Sequence, residues 1–350
     1  MKIAIDKNID ITKLKKGNDY IYVFDDNEKI DDMLKLGIYC VNKDYIKSVD
    51  INMTRYNIKC LKKAKISDID YDKLPEKKDY KYAIIIPNCN NDHGDYKGKT
   101  FFRNCIESVL NQTYKNFELI IIDDMSTDTS AETIKEYQKK DKRIHLIENM
   151  RKRYNGGSRN VGIEYALDYI DFDYFCFLDS DDWWKDNQVL ETINNELYDH
   201  ELLLLGLEMI DKNGLYGSKP QTFTDFIDFF LSEDNLWCTA WSRVIRKDKI
   251  VYFCENTLME DRVWSYRQAD NLDIDNVKVC DKICYVWNRM NTNNSVSQVR
   301  GNYWDASAWC HIGHQLQLLA ELKHEELKPI LEARIKKCID YCNSGTYTQY

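Results

Sequence analysis

Three carboxylates in four residues, Asp179, Asp181 and Asp182, follow the apolar, aromatic run Tyr174-Phe175-Cys176-Phe177-Leu178. Such a run reads as a buried strand that stops where charge must be presented. Carboxylates this close repel one another unless solvent or a cation offsets their charge, and hard oxygen donors of this kind suit Mg²⁺ or Mn²⁺. A solvated acidic turn is the alternative, because short metal motifs also match by chance. Two further polar groupings stand at similar places: Asp123-Asp124 after the run 117–122, and Asn88 and Asn90 after the run 83–86.

The elements that must carry these groups alternate in kind. Ala83-Ile84-Ile85-Ile86 is a strand ended by Pro87, and Phe102, Ile106, Val109 and Leu110 mark one face of a helix running to about Asn111. Residues 117–122 form a second strand. Ser126-Thr127-Asp128 offers capping oxygens to a helix marked by Ala131, Ile134 and Tyr137, and Ile144-His145-Leu146-Ile147 reads as a third strand. Val161, Tyr165, Ala166 and Tyr169 line another helix, which the Tyr174 strand follows. Strands and helices in alternation predict a parallel sheet covered on both faces. Ligands bind such sheets beyond the carboxyl ends of the strands. Three strand exits thus bring polar groups to one rim.

At 350 residues the chain exceeds one typical domain, and four prolines with 13 glycines leave no stretch that reads as a disordered linker. A net charge of −9 argues against a nucleic-acid binder, which would carry a basic face. The twelve cysteines are scattered through strand-like and helix-like runs, which predicts reduced, buried thiols. The pairs Cys280/Cys284 and Cys338/Cys342 have a spacing that fits a helical face as well as a zinc site. The N-terminus carries charges where a signal peptide needs an apolar core, and the longest apolar run, 202–207, is far short of the ~20 residues that cross a bilayer. The expectation is a soluble, cytoplasmic protein with no membrane span. The charged stretch 67–80 marks a boundary, giving a small N-terminal accessory domain (1–78) with strands near 21–24 and 38–41, a main α/β domain (79–300) and a C-terminal helical segment (301–350). In that last segment Ile312, Leu316 and Leu319 share a helical spacing, for an oligomer or acceptor contact.

Read together, Ile84-Ile85-Ile86-Pro87-Asn88-Cys89-Asn90, 108–114, 117–128, Gly156-Gly157-Ser158-Arg159-Asn160-Val161-Gly162 and Phe177-Leu178-Asp179-Ser180-Asp181-Asp182 resemble family 2 glycosyltransferases of the GT-A fold, in the family's order and spacing over roughly 82–295. The resemblance implies a Rossmann-like, mostly parallel sheet with helices on both faces. It implies a nucleotide-sugar donor, most often a UDP-sugar, with Pro87, Asn90, Asp123 and Asp124 at the nucleoside and Arg159 forking onto a phosphate. Cys89 departs from the pattern, standing where the family places a tyrosine that stacks on the base. Asp179-Ser180-Asp181 corresponds to the Asp-x-Asp motif, with Asp181 as direct ligand of Mn²⁺ or Mg²⁺, Asp179 orienting the ribose or a metal-bound water, Ser180 at the donor and Asp182 as reserve ligand.

Beyond 207 the resemblance implies the acceptor side. The segment 237–246 resembles the stretch that precedes the catalytic helix, which makes Trp241 an acceptor contact or plain core, while Trp183 and Trp184 beside the carboxylates would form a sugar platform. Leu258-Met259-Glu260-Asp261-Arg262-Val263-Trp264 matches the family's Glu-Asp motif near a helix start. By that match Asp261 is the general base of an inverting displacement, and Glu260 orients the acceptor or supports Asp261. The bland alternative is that both favour the positive end of a helix, worth ~0.3–1 kcal/mol. Arg289 and Ser295 fall in the closing strand and loop, which often folds over the donor phosphates. A glycan, a protein or a cell-wall polymer would be the acceptor. The rival reading is a catalytically inactive module that keeps the fold and binds a nucleotide sugar, glycan or protein partner. Nucleotidyl transfer would need a Gly-rich phosphate loop with a lysine, which 94–99 matches poorly.

Overall fold

The computed structural model of the protein describes residues 2–5, 17–24, 38–42, 78–150, 153–219, 239–255, 260–290 and 302–344. The chain divides into two compact units, Met1–Lys77 and Lys78–Tyr350. In the first, β1 (Lys2–Ile5), β2 (Gly17–Phe24) and β3 (Ile38–Asn42) form a parallel sheet with β2 in the middle. The runs 21–24 and 38–41 lie in β2 and β3.

The second unit is built on one sheet. β4 (Tyr82–Asn88), β5 (Phe117–Asp123), β6 (Ile144–Glu148) and β7 (Tyr174–Phe177) run parallel in the order β6-β5-β4-β7. The sheet then changes character. β11 (Arg243–Arg246) pairs antiparallel to both β7 and β9 (Leu202–Asp211), and β12 (Val277–Asn288) lies parallel to β9. Two short strands complete it, β8 (Trp183–Trp184) antiparallel on β12 and β10 (Gly214–Lys219) antiparallel on β9.

Because successive strand residues point to opposite faces, β4 serves two cores at once. Tyr82, Ile84 and Ile86 join a layer with α1 (Phe101–Leu110), α2 (Ser130–Lys140) and α4 (Val189–Leu197). Ala83 and Ile85 face the other layer, with α3 (Tyr154–Tyr169), α5 (Glu260–Asp270), α6 (Asn302–Glu321) and α7 (Lys328–Ser344). The C-terminal helices are thus part of the second core, to which they contribute Ile312, Leu318, Leu331 and Ile335. Of the three residues with a shared helical spacing, Ile312 is buried, Leu319 packs partly against this core and Leu316 is exposed.

Local chemistry sets the ends of these elements. Thr100 caps α1 by accepting the Arg103 N–H. Of the expected capping oxygens before α2, only Asp128 turns to the helix and accepts the Ser130 N–H at 3.0 Å. Ser126 turns back and accepts the Asn90 N–H at 3.0 Å. Gly162 lets α3 lie close on the sheet, since a Cβ there would stand 2.7 Å from Ile85 Cγ2 and 2.8 Å from Ile122 Cδ1.

Cys105, Cys176, Cys254, Cys280 and Cys284 are buried free thiols. Cys280 and Cys284 sit in β12, a strand and not a helix, where the register shift between Val279 and Ile283 breaks the simple alternation. Among the described residues no three His, Cys, Asp or Glu side chains group to hold a metal ion. No described helix is long and apolar enough to cross a membrane.

Candidate active site

The exits of β4 and β5 are adjacent, with Asn88 opposite Asp123 in register. The Asn88 carbonyl accepts the Asp124 N–H at 2.8 Å, and the Asp123 carboxylate accepts the Ser126 N–H at 3.3 Å and the Asn88 amide at 3.4 Å. Asn90 adopts a φ of +56° and accepts the N–H groups of Thr127 and Asp128 at 2.6 and 3.2 Å, which ties the two loops together. Pro87 is buried within β4 opposite Ile122. Asp124, also expected at the nucleoside, faces the start of α3, accepting the Arg153 and Tyr154 N–H groups at 2.8 Å each. Asp92, which the sequence did not single out, anchors the first loop by accepting hydroxyls of Thr100, Thr129 and Thr133 at 2.6, 2.9 and 2.5 Å. Burial works against its charge, yet those hydroxyls and Arg103 prevail and hold its carboxyl below the usual range.

The turn after β7 closes through the Asp182 N–H on the Asp179 carbonyl at 3.0 Å. Its three carboxylates separate by direction. Asp182 is only 2% exposed and accepts the Tyr285 hydroxyl at 2.6 Å and the Asn288 N–H at 2.8 Å. Burial and the neighbouring Asp181 and Asp179 push its carboxyl well above the ordinary range. Both oxygens therefore serve the interior, and the expected role of reserve metal ligand does not fit Asp182. Ser180 is buried and accepts the Asn91 amide at 2.6 Å. Asp179 and Asp181 are the part-exposed members of the turn. A hard divalent cation that takes its other ligands from water and substrate phosphates suits such a pair.

Arg159 lies on the inner face of α3, 2% exposed, between two carboxylates. Its terminal nitrogens donate to Asp179 and to Glu260 at 2.5 Å each. Burial opposes its charge, but Asp179, Glu260 and Asp261 override that and raise its pKa. Arg159 is thus held by protein carboxylates where the sequence suggested a fork onto phosphate. Glu260, buried at the start of α5, faces Arg159 and supports the site from within. Asp261 is half-buried beside them, and burial with the Glu260 charge raises its carboxyl to about 7, against the opposing pull of Arg159. A carboxylate near neutrality is poised to take a proton.

Gly156 makes this approach possible. A Cβ there would stand 2.2 Å from the Cys254 carbonyl oxygen and 3.0 Å from Glu260 Cγ. Asn160 adds a reciprocal pair with Phe253, donating to its carbonyl at 3.0 Å and accepting its N–H at 2.8 Å.

The aromatic residues expected at the acceptor are packed. Trp184 is 2% exposed in the core, Trp183 stacks on Tyr96 at 4.5 Å, and Trp241 stacks on Tyr285 at 4.2 Å. Packing takes the ring faces that a sugar would need. Arg289 is exposed and stacks over Trp287 at 4.5 Å. Trp237, Leu258, Met259 and the loop with Ser295 lie outside the described residues. Tyr285 and Asn288, to which the sequence assigned no role, are buried residues with polar groups at the end of β12, just before Arg289.

A family model described as glycosyl transferase family 2 matches residues 83–257, half of the chain. The chain belongs to this family. Its fold is of the GT-A type and is similar to that of S. aureus TarS 1-349 in complex with UDP-GlcNAc, with a TM-score of 0.55 at 17% identity over 74% of this chain and 72% of that one. The chain is 34% identical over 149 residues to the Escherichia coli UDP-Glc:alpha-D-GlcNAc-diphosphoundecaprenol beta-1,3-glucosyltransferase WfgD, covering 42% of this chain and 54% of that protein. It is 34% identical over 126 residues to glycosyltransferase GlyA of Streptococcus pneumoniae, covering 35% of this chain and 16% of that protein. The chain thus spans about half or less of the length of these curated relatives. The family match ends before Glu260 and Asp261.

Proposed function

We propose that this family 2 protein is an inverting glycosyltransferase that moves a sugar from a nucleotide-sugar donor to an acceptor hydroxyl, with Asp261 as general base. The observation that carries the reading is the Asp179–Arg159–Glu260 bridge, which joins the acidic turn to the start of α5 and holds Asp261, with its carboxyl at about 7, in the same site. The similarity to a relative named for UDP-Glc favours a UDP-sugar donor.

In this reading the acceptor O–H gives its proton to Asp261 while its oxygen attacks the anomeric carbon. The bond from that carbon to the phosphate oxygen breaks, and its electron pair leaves with the nucleoside diphosphate. Attack on the face opposite the leaving group inverts the anomeric centre. Asp181 and Asp179 are the residues that would hold Mn²⁺ or Mg²⁺, which supplies Lewis-acid neutralisation of the departing diphosphate. Arg159 keeps Asp179 and Glu260 from repelling each other and fixes their separation. A binding module without catalysis has no use for a carboxyl raised to about 7 beside a buried ion-pair bridge.

The test is release of nucleoside diphosphate from UDP-, GDP- and CDP-sugars, with Mn²⁺ or with chelator. One donor should be turned over in a metal-dependent way. Asp181→Asn should lose the metal-dependent turnover, and Asp261→Asn should lose transfer while retaining UDP binding. Full transfer by Asp261→Asn would remove it as the base.

A further inference from the structure

The end of β12 grips the acidic turn from the inside. One phenolic oxygen serves both of the turn's ends: the Tyr285 hydroxyl donates to Asp182 Oδ2 at 2.6 Å and accepts the Asp179 N–H at 3.3 Å. Three residues on, Asn288 uses two groups. Its backbone N–H donates to Asp182 Oδ1 at 2.8 Å, and its side-chain amide donates to the Asp181 carbonyl at 2.9 Å. The grip is itself rigid, because Tyr285 is fully buried, stacked on Trp241 with ring planes 14° apart, and paired in register with Trp184 of β8. Every bond ends on the backbone of Asp179 or Asp181 or on the inward Asp182, and neither outward carboxylate is consumed by it.

We infer that Tyr285 and Asn288 are positioning residues that set the relative placement of the Asp179 and Asp181 carboxylates and thereby the affinity for a divalent cation bound together with a nucleoside diphosphate. The inference rests on the donor reading proposed above. The physical reason is that adjacent aspartates on an open turn would relax apart under their mutual repulsion. A buried acceptor gripped by two donors on a strand blocks that relaxation. Removing such supporting groups around a metal site typically weakens metal affinity about 10–100-fold.

Two substitutions divide the grip without emptying the core. Tyr285→Phe removes the hydroxyl and keeps the stacked ring, and Asn288→Ala removes the bond to the Asp181 carbonyl while its backbone N–H still serves Asp182. The probe is UDP, titrated calorimetrically with and without Mn²⁺ against the full chain. The expected result for Tyr285→Phe is UDP affinity weakened about tenfold in Mn²⁺ and unchanged in chelator. Asn288→Ala should show a smaller shift of the same kind. Raising Mn²⁺ should restore the Tyr285→Phe turnover to the wild-type maximum, which a general loss of folding would not allow. Wild-type UDP affinity in Mn²⁺ for both variants would overturn the inference and leave the donor reading standing. Failure of the wild-type protein to bind UDP in Mn²⁺ would overturn both.

Discussion

Substituting Gly156 by alanine separates the architecture of the site from the stability of the fold. The new Cβ would lie 2.2 Å from the Cys254 carbonyl oxygen and 3.0 and 3.2 Å from Cγ and Cβ of Glu260. Carbon and oxygen in ordinary contact stand about 3.3 Å apart, so a displacement of about 1 Å is needed. The obstacle is backbone and cannot rotate aside; either α3 or the backbone at Cys254 must move. Overpacking of this kind costs about 1–3 kcal/mol, and the better helix propensity of alanine returns about 1 kcal/mol. The fold should therefore survive with a small loss. The site should not, because Glu260 accepts from Arg159 at 2.5 Å and Asp261 is its neighbour in the chain. Misplacing a catalytic group by 1 Å can cost about 10²-fold in rate. Transfer rates and thermal unfolding measured on the same preparation would show a rate loss of that order with a modest fall in the unfolding temperature. Gly162→Ala is the comparison: its Cβ would press on Ile85 and Ile122 in the core, so stability should fall more and rate less. Gly156→Ala with wild-type turnover would refute the argument that this close approach sets the Glu260 and Asp261 positions.

Transfer should rise with pH through a midpoint near 7, since the base must be ionised and burial with Glu260 raises Asp261 to about 7; a flat profile from pH 5 to 9 would contradict this. The same shift predicts a stability effect of opposite sense. A carboxyl raised in the folded state contributes stability below its unfolded pKa, and that contribution is lost as pH rises through about 7. Asp261→Asn should therefore unfold at a higher temperature than wild type at pH 8, with the difference disappearing near the unfolded carboxylate range. Asp92→Ala leaves three hydroxyls without their acceptor and should destabilise by about 1–3 kcal/mol at neutral pH. Because the Asp92 carboxyl is held below its usual range, its contribution is present above the unfolded pKa and lost as pH falls through the folded one, so unfolding curves of variant and wild type should converge in acid.

The parallel half of the sheet was legible because β4, β5 and β7 are buried on both faces and read as apolar runs, while the part-exposed edge strand β6 still shows a short one. β4, β5, β6 and β7 all fall on runs visible in the sequence. The other half was not, because β11 inserts between β7 and β9 although it follows both in the chain, and no local pattern announces that pairing. At the site, residue types were readable and directions were not. Whether Asp181 or Asp182 faces inward is decided by Tyr285 and Asn288 on a distant strand. Arg159 likewise carried the signal of an anion partner, but which anion depends on the closeness that Gly156 permits. The tryptophans misled for a related reason: an indole beside a carboxylate suits a sugar or a core equally well, and only packing separates the two.

The first N–H groups of a helix usually form a ready seat for phosphate. In this chain that seat at α3 is already taken by a side chain of its own, since Asp124 accepts from both Arg153 and Tyr154. A nucleotide arriving there would meet a negative charge. On the proposed function, its diphosphate has to find counter-charge elsewhere on the rim, by the Asp179–Asp181 turn, in company with a cation. On that reading donor capture would follow the local supply of divalent ions, and metal-loaded nucleotide would be favoured over bare nucleotide before any chemistry begins.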